Sequence, residues 1–273
     1  MYEDAESAEL YPDDYYAYQE VPVLAAWKRV SKKILGYRLG TKDPRFGSVG
    51  AVLDVGCGSG EFLEAMNEQG WIAQGVEISE AASRTGQAKG LQIVSGSLPD
   101  AQLPDESFDY VRASHSLEHM SHPHAVLEEM HRVLKPEGKL LIAVPNVDSW
   151  NAKLFRQYWW HLCPPVHAFG YSVHTLSRLL VQHQFQVQGV TFNSDYLGIL
   201  GSTQIWRNRN NGRKSSNGWL FANRPLRVLC GWLASLADRA HRGDMIEVIA
   251  TKAPVRESAC KKDGLDSVAL ATR

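Results

Sequence analysis

Residues 52–63 read VLDVGCGSGEFL: an apolar, β-branched run around one carboxylate, Asp54, then glycine at every second position, then Glu-Phe-Leu. A strand that empties into Gly56, Gly58 and Gly60 opens a strand–turn–helix unit, because glycine takes left-handed backbone without steric cost and lets a ligand lie against bare main chain. In an open α/β sheet, the carboxyl end of a strand is where ligands bind. The rest of the pattern agrees. Strand-like runs at 51–55, 72–77, 91–95, 108–113, 139–145, 185–192 and 244–252 alternate with helical stretches near 23–38, 60–69, 80–88, 124–134 and 173–183. That alternation builds a parallel sheet, and runs apolar on both faces fit a sheet covered on both sides. The expected fold is a doubly wound α/β domain over about 40–252.

Five units are expected: an acidic segment and helix at 1–40, a sheet core at 41–195, an insertion at 196–243, a last core strand at 244–254, and a disordered tail at 255–273. The insertion is far longer than an ordinary connection. Its first half, STQIWRNRNNGRKSSNG, reads as polar loop; its second half reads as helix, with Pro225 near the start and Gly243 near the stop.

Charge narrows the function classes. The net charge is −1, so no global basic field attracts nucleic acid, and none is expected as a partner. The two ends differ in sign: residues 1–20 hold seven acids and five tyrosines, whereas 203–242 hold eight Arg and Lys against Asp238 alone. Cys57, Cys163, Cys230 and Cys260 are scattered without a CxxC pair, and MYEDAESAEL has neither the basic nor the apolar region of a signal peptide. A cytoplasmic location is expected.

The glycine turn calls for a nucleoside-bearing cofactor, with Glu77 at the end of the second strand placed to accept from a ribose diol. A dinucleotide site is expected to read G-x-G-x-x-G; here G-x-G-x-G follows Asp54. This stretch resembles the first motif of the class I S-adenosylmethionine-dependent methyltransferases. VEIS (76–79), FDYVRASHSLEHM (108–120) and VLKPEGKLLIAVPN (133–146) are similar to that family's second-, fourth- and fifth-strand motifs. WWHLCPPVHAFGYSVHTLSRLL (159–180) resembles the segment that follows the fifth strand in the ubiquinone-biosynthesis-like branch.

The resemblance implies a Rossmann-like sheet, mostly parallel with a last antiparallel strand, a helical insertion before that strand, and S-adenosyl-L-methionine as cofactor. It places Gly56, Cys57, Gly58 and Gly60 along the methionine and ribose, with Asp54 orienting that loop or accepting from the cofactor's amino group. Glu77 and Ile78 fall at the ribose, and Ser114 and His115 near the sulfonium. Relatives carry an Asp after the third-strand glycine, but this chain reads GSLPD, which leaves the adenine contact to the Ser97 hydroxyl, the Leu98 backbone or Asp100. The implied function is methyl transfer to a small-molecule or lipid-linked acceptor, at an oxygen. The alternatives are a nicotinamide-dependent oxidoreductase and a non-catalytic S-adenosylmethionine-binding protein.

Removing a hydroxyl proton suits histidine. His167, in the PP-x-H element, and His119 are the candidates. His115, His119, His122 and His124 form a dense cluster, but Glu118 is the only acid spaced with them, so they read as loop and helix cap and no metal is expected. Phe155, Trp159 and Trp160 divide between core and an aromatic wall for the acceptor. In the insertion, Leu226, Leu229, Leu233, Leu236 and Ala240 recur at helical spacing near Trp219, Phe221 and Trp232, edged by Arg224, Arg227, Arg239 and Arg242. Three readings fit it: a buried helix, a lid, or a peripheral membrane contact through 219–240.

Overall fold

The computed structural model describes residues 49–208, 220 and 223–253. The acidic segment at 1–40 with its expected helix, Trp219, Phe221 and the tail at 255–273 lie outside the described residues.

The chain runs β1 (Ala51–Val55), α1 (Glu61–Asn67), β2 (Ile72–Glu77), α2 (Glu80–Ala88), β3 (Gln92–Ser95), β4 (Phe108–Ser114), α3 (Pro123–Val133), β5 (Leu134–Pro145), α4 (Trp150–Phe155), α5 (Val173–Gln182), β6 (Phe185–Phe192), α6 (Leu197–Arg207), α7 (Arg224–Arg239) and β7 (Met245–Lys252). Seven strands form one sheet in the order β3-β2-β1-β4-β5-β7-β6. Strands β1–β5 pair in parallel, and β7 runs antiparallel to both β5 and β6. The fold is the doubly wound, Rossmann-like sheet with a last antiparallel strand.

Period-two alternation accounts for the two covered faces. Leu53, Val111, Leu140 and Val248 enter one buried cluster, while Val52, Tyr110 and Leu141, their chain neighbours, enter the other with Trp71 and Met66. Local chemistry fixes the helix starts. Ser79 caps α2 by accepting from Ala82 N, Ser172 and Thr175 form a capping box on α5, and Asn223 caps α7 with Pro225 in its first turn.

One expectation changes in the insertion. Residues 202–218 read as loop, yet α6 occupies Leu197–Arg207. This helix packs through small residues rather than an apolar stripe: a Cβ on Gly201 would lie 2.3 Å from the Trp160 ring, and Ser202 Oγ accepts from Trp160 N at 2.9 Å. In α7 the buried positions are Cys230, Ala234 and Ala237, whereas Leu229 and Leu233 of the expected seam are exposed together with Val228 and Trp232. Helix α6 packs on α4, α7 and the 3₁₀ turn Trp160–Leu162. These pieces form a helical cap beside the carboxyl end of β5. No helix among the described residues is long and apolar enough to cross a membrane.

Candidate active site

The glycine turn is built from the backbone outward. Gly56, Gly58 and Gly60 all sit at positive φ (76°, 56° and 82°). They differ in what surrounds them. A Cβ on Gly56 would meet Ser116 Cβ at 2.4 Å, and one on Gly60 would meet Leu91 Cδ1 at 2.4 Å, whereas one on Gly58 would meet nothing within 4 Å among the described residues. Gly56 and Gly60 are therefore packing glycines; Gly58 alone keeps open space in front of bare backbone.

Glu77 clamps this turn. Its carboxylate accepts from Gly58 N at 2.8 Å and from Ser79 N at 2.9 Å, so one side chain joins the β1 turn to the β2 terminus. Burial pushes its pKa up, opposed by those two N–H donors. Asp54 pairs with Arg112 at 2.8 Å, opposite it in the β1–β4 register, and the guanidinium stacks 4.2 Å over the Phe62 ring. Burial raises the Asp54 pKa more than Arg112 lowers it.

A cavity of about 530 Å³ opens at the carboxyl ends of the strands. Gly56, Gly58, Glu77, Ile78, Ser97, Leu98 and His115 of the expected cofactor residues line it, as do both base candidates, His119 and His167. Asp54, Cys57, Gly60 and Ser114 do not line it. Asp54 is taken up by Arg112, Cys57 points into the core beside Val52 and Ala73, and Gly60 begins α1. The Ser97 hydroxyl donates to the Asp100 carboxylate.

Toward the other end of the cavity stand the imidazoles of His115, His119, His161 and His167 and the carboxylate of Glu118; His122 and Asp195 line it as well. His115 follows β4 at φ 55°. Glu118, only 1% exposed, has neither carboxylate oxygen hydrogen-bonded among the described residues; its Oε1 lies 3.7 Å from His115 Nδ1 and 4.0 Å from His119 Nε2. The Glu118 carbonyl accepts from Ala168 N and Phe169 N, which draws the 166–169 loop across. This brings His167 edge-on to His119, with ring centroids 4.6 Å apart. Burial first, then His119, pushes the His167 pKa down to about 4; burial, then His115 and His167, takes His161 down to about 3. His122 holds the cap position of α3 without a side-chain cap bond, and His124 pairs with His183 at 2.8 Å, away from this group.

The aromatic residues divide. Trp159 is buried and donates through Nε1 to Asp244 at 3.1 Å, whereas Trp160 lines the cavity and Phe155 is half-buried. Asp244 also accepts from Ser149 Oγ at 2.8 Å and Asn151 Nδ2 at 2.6 Å. It pins α4 and the Trp159–Trp160 turn to the start of β7, and nothing in the sequence pattern singled it out. His161 lines the cavity as well, though the sequence pattern gave it no role of its own.

A family model described as a methyltransferase domain matches residues 25–190. The chain is 36% identical over 127 residues to the ubiquinone biosynthesis O-methyltransferase of Idiomarina loihiensis, covering 42% of this chain and 51% of that protein. It is 28% identical over 152 residues to the demethylmenaquinone methyltransferase of Listeria welshimeri, covering 50% and 60%. It thus spans a little over half the length of these curated relatives. Among solved structures, a SAM-dependent methyltransferase from Archaeoglobus fulgidus shares the fold with a TM-score of 0.56 at 24% identity, over 85% of this chain and 100% of the other.

Proposed function

Since the chain belongs to the methyltransferase-domain family, whose class I fold and glycine turn it carries, we propose that it transfers the methyl group of S-adenosylmethionine to an oxygen of a small-molecule or lipid-linked acceptor. One observation carries this reading. A single cavity joins the Gly58–Glu77 end to the Glu118–His119–His167 end.

The residues present fit the cofactor. Gly58 keeps a cradle that a Cβ would fill, the buried Glu77 carboxylate faces the cavity as an acceptor for ribose hydroxyls, and Ser97 and Leu98 flank the place for an adenine. When bound, S-adenosylmethionine supplies a sulfonium methyl that is already electrophilic, so the protein's part is alignment and exclusion of water. Trp160 and the helical cap close the acceptor side. His167, with His119 beside it, accepts the hydroxyl proton. Turnover of labelled cofactor against a panel of phenols, quinols and amines tests the reading: methylated oxygen is expected, and exclusive methylation of amines would overturn the oxygen assignment. In the His167→Ala variant, turnover should fall by about 10²–10⁴ with S-adenosylhomocysteine affinity unchanged. Near-normal turnover would remove His167 from the chemistry.

The lipid-linked part of the proposal rests on α7. Val228, Leu229, Trp232 and Leu233 are exposed along one stretch of that helix, with Trp206 exposed on the adjoining α6. Amphipathic helices carrying Trp, Leu and Arg lie in membrane interfaces, held partly by anionic lipid. The two named relatives act in quinone metabolism by their names, which suits an acceptor delivered from a membrane. Liposome flotation of the full chain should require anionic lipid, weaken with salt, and drop severalfold in Val228→Ser/Trp232→Ser. A chain that never floats would point to an acceptor dissolved in water.

A further inference from the structure

Helix α7 turns outward a pattern that its own packing does not use. Its buried side carries Cys230, Ala234 and Ala237, and the opposite stripe, at helical spacing, reads Arg224, Val228, Trp232, Ser235 and Arg239, all of them exposed. Leu229 and Leu233 widen that stripe on one flank. The face is an apolar strip with an arginine at each end. At a rise of 1.5 Å per residue the two arginines stand about 22 Å apart along the helix. The one acid of the helix does not offset them, because Asp238 is turned to Ser194 and accepts from its N at 3.0 Å and its Oγ at 2.5 Å.

Such a strip is complementary to carboxylates at two ends with aromatic rings between them. The same chain carries that pattern. ELYPDDYYAYQE, residues 9–20, lies outside the described residues and holds four acids and four tyrosines without a Lys or Arg. In an extended segment, period two puts Asp14, Tyr16, Tyr18 and Glu20 on one side. At about 3.3 Å per residue the two acids are then about 20 Å apart, with both rings between them, which matches the order and the length of the α7 strip.

We infer that residues 14–20 of this chain dock along the outward face of α7, with Tyr16 and Tyr18 on Val228 and Trp232 and with Asp14 and Glu20 at Arg224 and Arg239, and that they hold this face until anionic lipid displaces them. Reach is no obstacle. Residues 21–48 join the segment to Val49 ahead of β1, and extended chain of that length spans on the order of 90 Å, roughly twice the diameter of a domain of this size. Exposed ion pairs are individually weak, so burial of the tyrosine rings and their stacking on guanidinium share the binding. Tethering supplies the rest: a linked segment is present at an effective concentration of about a millimolar, and a contact that would be weak between separate molecules stays occupied. The docking stands on the face and the sequence alone; its competition with lipid rests on the lipid-linked reading of the acceptor.

The test compares the full chain with a full-length variant whose segment has lost its charge, Asp13→Asn/Asp14→Asn/Glu20→Gln, each titrated with a fluorescent peptide of residues 9–20. The variant should bind the peptide at least about tenfold more tightly than the parent, because in the parent the tethered copy already covers the face. Added salt should weaken that binding severalfold, and Arg224→Gln/Arg239→Gln, placed in the variant, should abolish it. All of these positions are exposed or outside the core, and an unchanged thermal midpoint checks that every protein is folded. Equal peptide binding by parent and variant, or binding that ignores the two arginines, overturns the docking. A variant that binds no peptide but dimerises in sedimentation assigns the face to a second copy and overturns it as well. Flotation on anionic liposomes separates the two readings, since the variant should float severalfold more than the parent. Peptide binding as expected while neither protein floats keeps the docking and removes the membrane contact; equal flotation of both with no peptide bound keeps the membrane contact and removes the docking.

Discussion

Gly58→Val should abolish S-adenosylhomocysteine binding while the protein stays folded. The space in front of Gly58 is empty of described protein atoms and belongs to the cavity, so the two added methyls meet no core side chain and take the volume a ligand needs. The cost to the fold is the left-handed backbone at φ 56°, about 1–2 kcal/mol for a residue with a Cβ. A substitution at the next glycine of the turn should do the reverse. At Gly60 a Cβ strikes Leu91 and never reaches the cavity, so Gly60→Ala should lower stability more than affinity. Glu77→Ala completes the series. It removes the acceptor for Gly58 N and Ser79 N together with the carboxylate facing the cavity, and affinity should fall about ten- to a hundredfold, as for loss of hydrogen bonds to a charged group. Calorimetry and thermal melting read both quantities, and wild-type affinity in Gly58→Val would sink the cofactor placement.

The second large effect is on stability. Asp244 receives Ser149 Oγ, Asn151 Nδ2 and Trp159 Nε1, and Gly198 of α6 presses so close that a Cβ there would lie 1.9 Å from Asp244 Oδ2. Burial raises its pKa ahead of anything these three donors restore. Removing the carboxylate orphans all three donors at a buried position, and each costs about 1–3 kcal/mol. Because they share one environment the terms do not add fully, and Asp244→Ala should lose about 3–5 kcal/mol. In urea the midpoint should fall with the slope unchanged. Asp244→Asn should lie between, since its oxygen still accepts while its amide nitrogen faces a donor. Asp244 is not part of the cavity wall, so cofactor affinity should persist below the transition. A loss under about 1 kcal/mol would show that the cap is not held by this residue.

What the sequence made legible is what is local. The strand into Gly56, Gly58 and Gly60, and the acid ending β2, are contiguous signals, and they mark the Gly58–Glu77 end of the cavity. Helix starts at Ser79 and Ser172 were likewise written within four residues. The acceptor end was not, because its members converge from separate segments: Glu118 and His119 after β4, His161 and His167 after β5. The backbone bonds from Ala168 and Phe169 to the Glu118 carbonyl and the contact of His119 Nδ1 with the Val166 carbonyl bring them together. Helix α6 escaped for a different reason. Its buried face is Gly198, Leu200, Gly201, Ser202 and Gln204, and close packing of the small residues against Trp160 and Asp244 leaves no hydrophobic period to read. In α7 the period was visible but did not tell which side meets the fold: Leu229 and Leu233 face outward and the small Cys230, Ala234 and Ala237 face in.

The position of β7 bears on how the polypeptide is made. This final strand sits inside the sheet, between β5 and β6, and β6 pairs with nothing else. A chain emerging from the ribosome N-terminus first holds all of β1–β5 before β7 exists, so the half that carries Gly58 and Glu77 can assemble early, as domains and subdomains do during synthesis. Throughout that interval β5 presents an open edge and β6 waits without a ladder partner, the condition in which unpaired strands recruit one another between molecules. The charged and polar residues Gln186, Gln188 and Thr191 on β6, and Lys139 at the β5 edge, are thus the safeguards of a nascent chain as much as decorations of a finished one. A chain that has not yet reached Met245 holds the Gly58–Glu77 half with an unpaired β5 margin; the eight residues of β7 then join it to β6 in one continuous sheet.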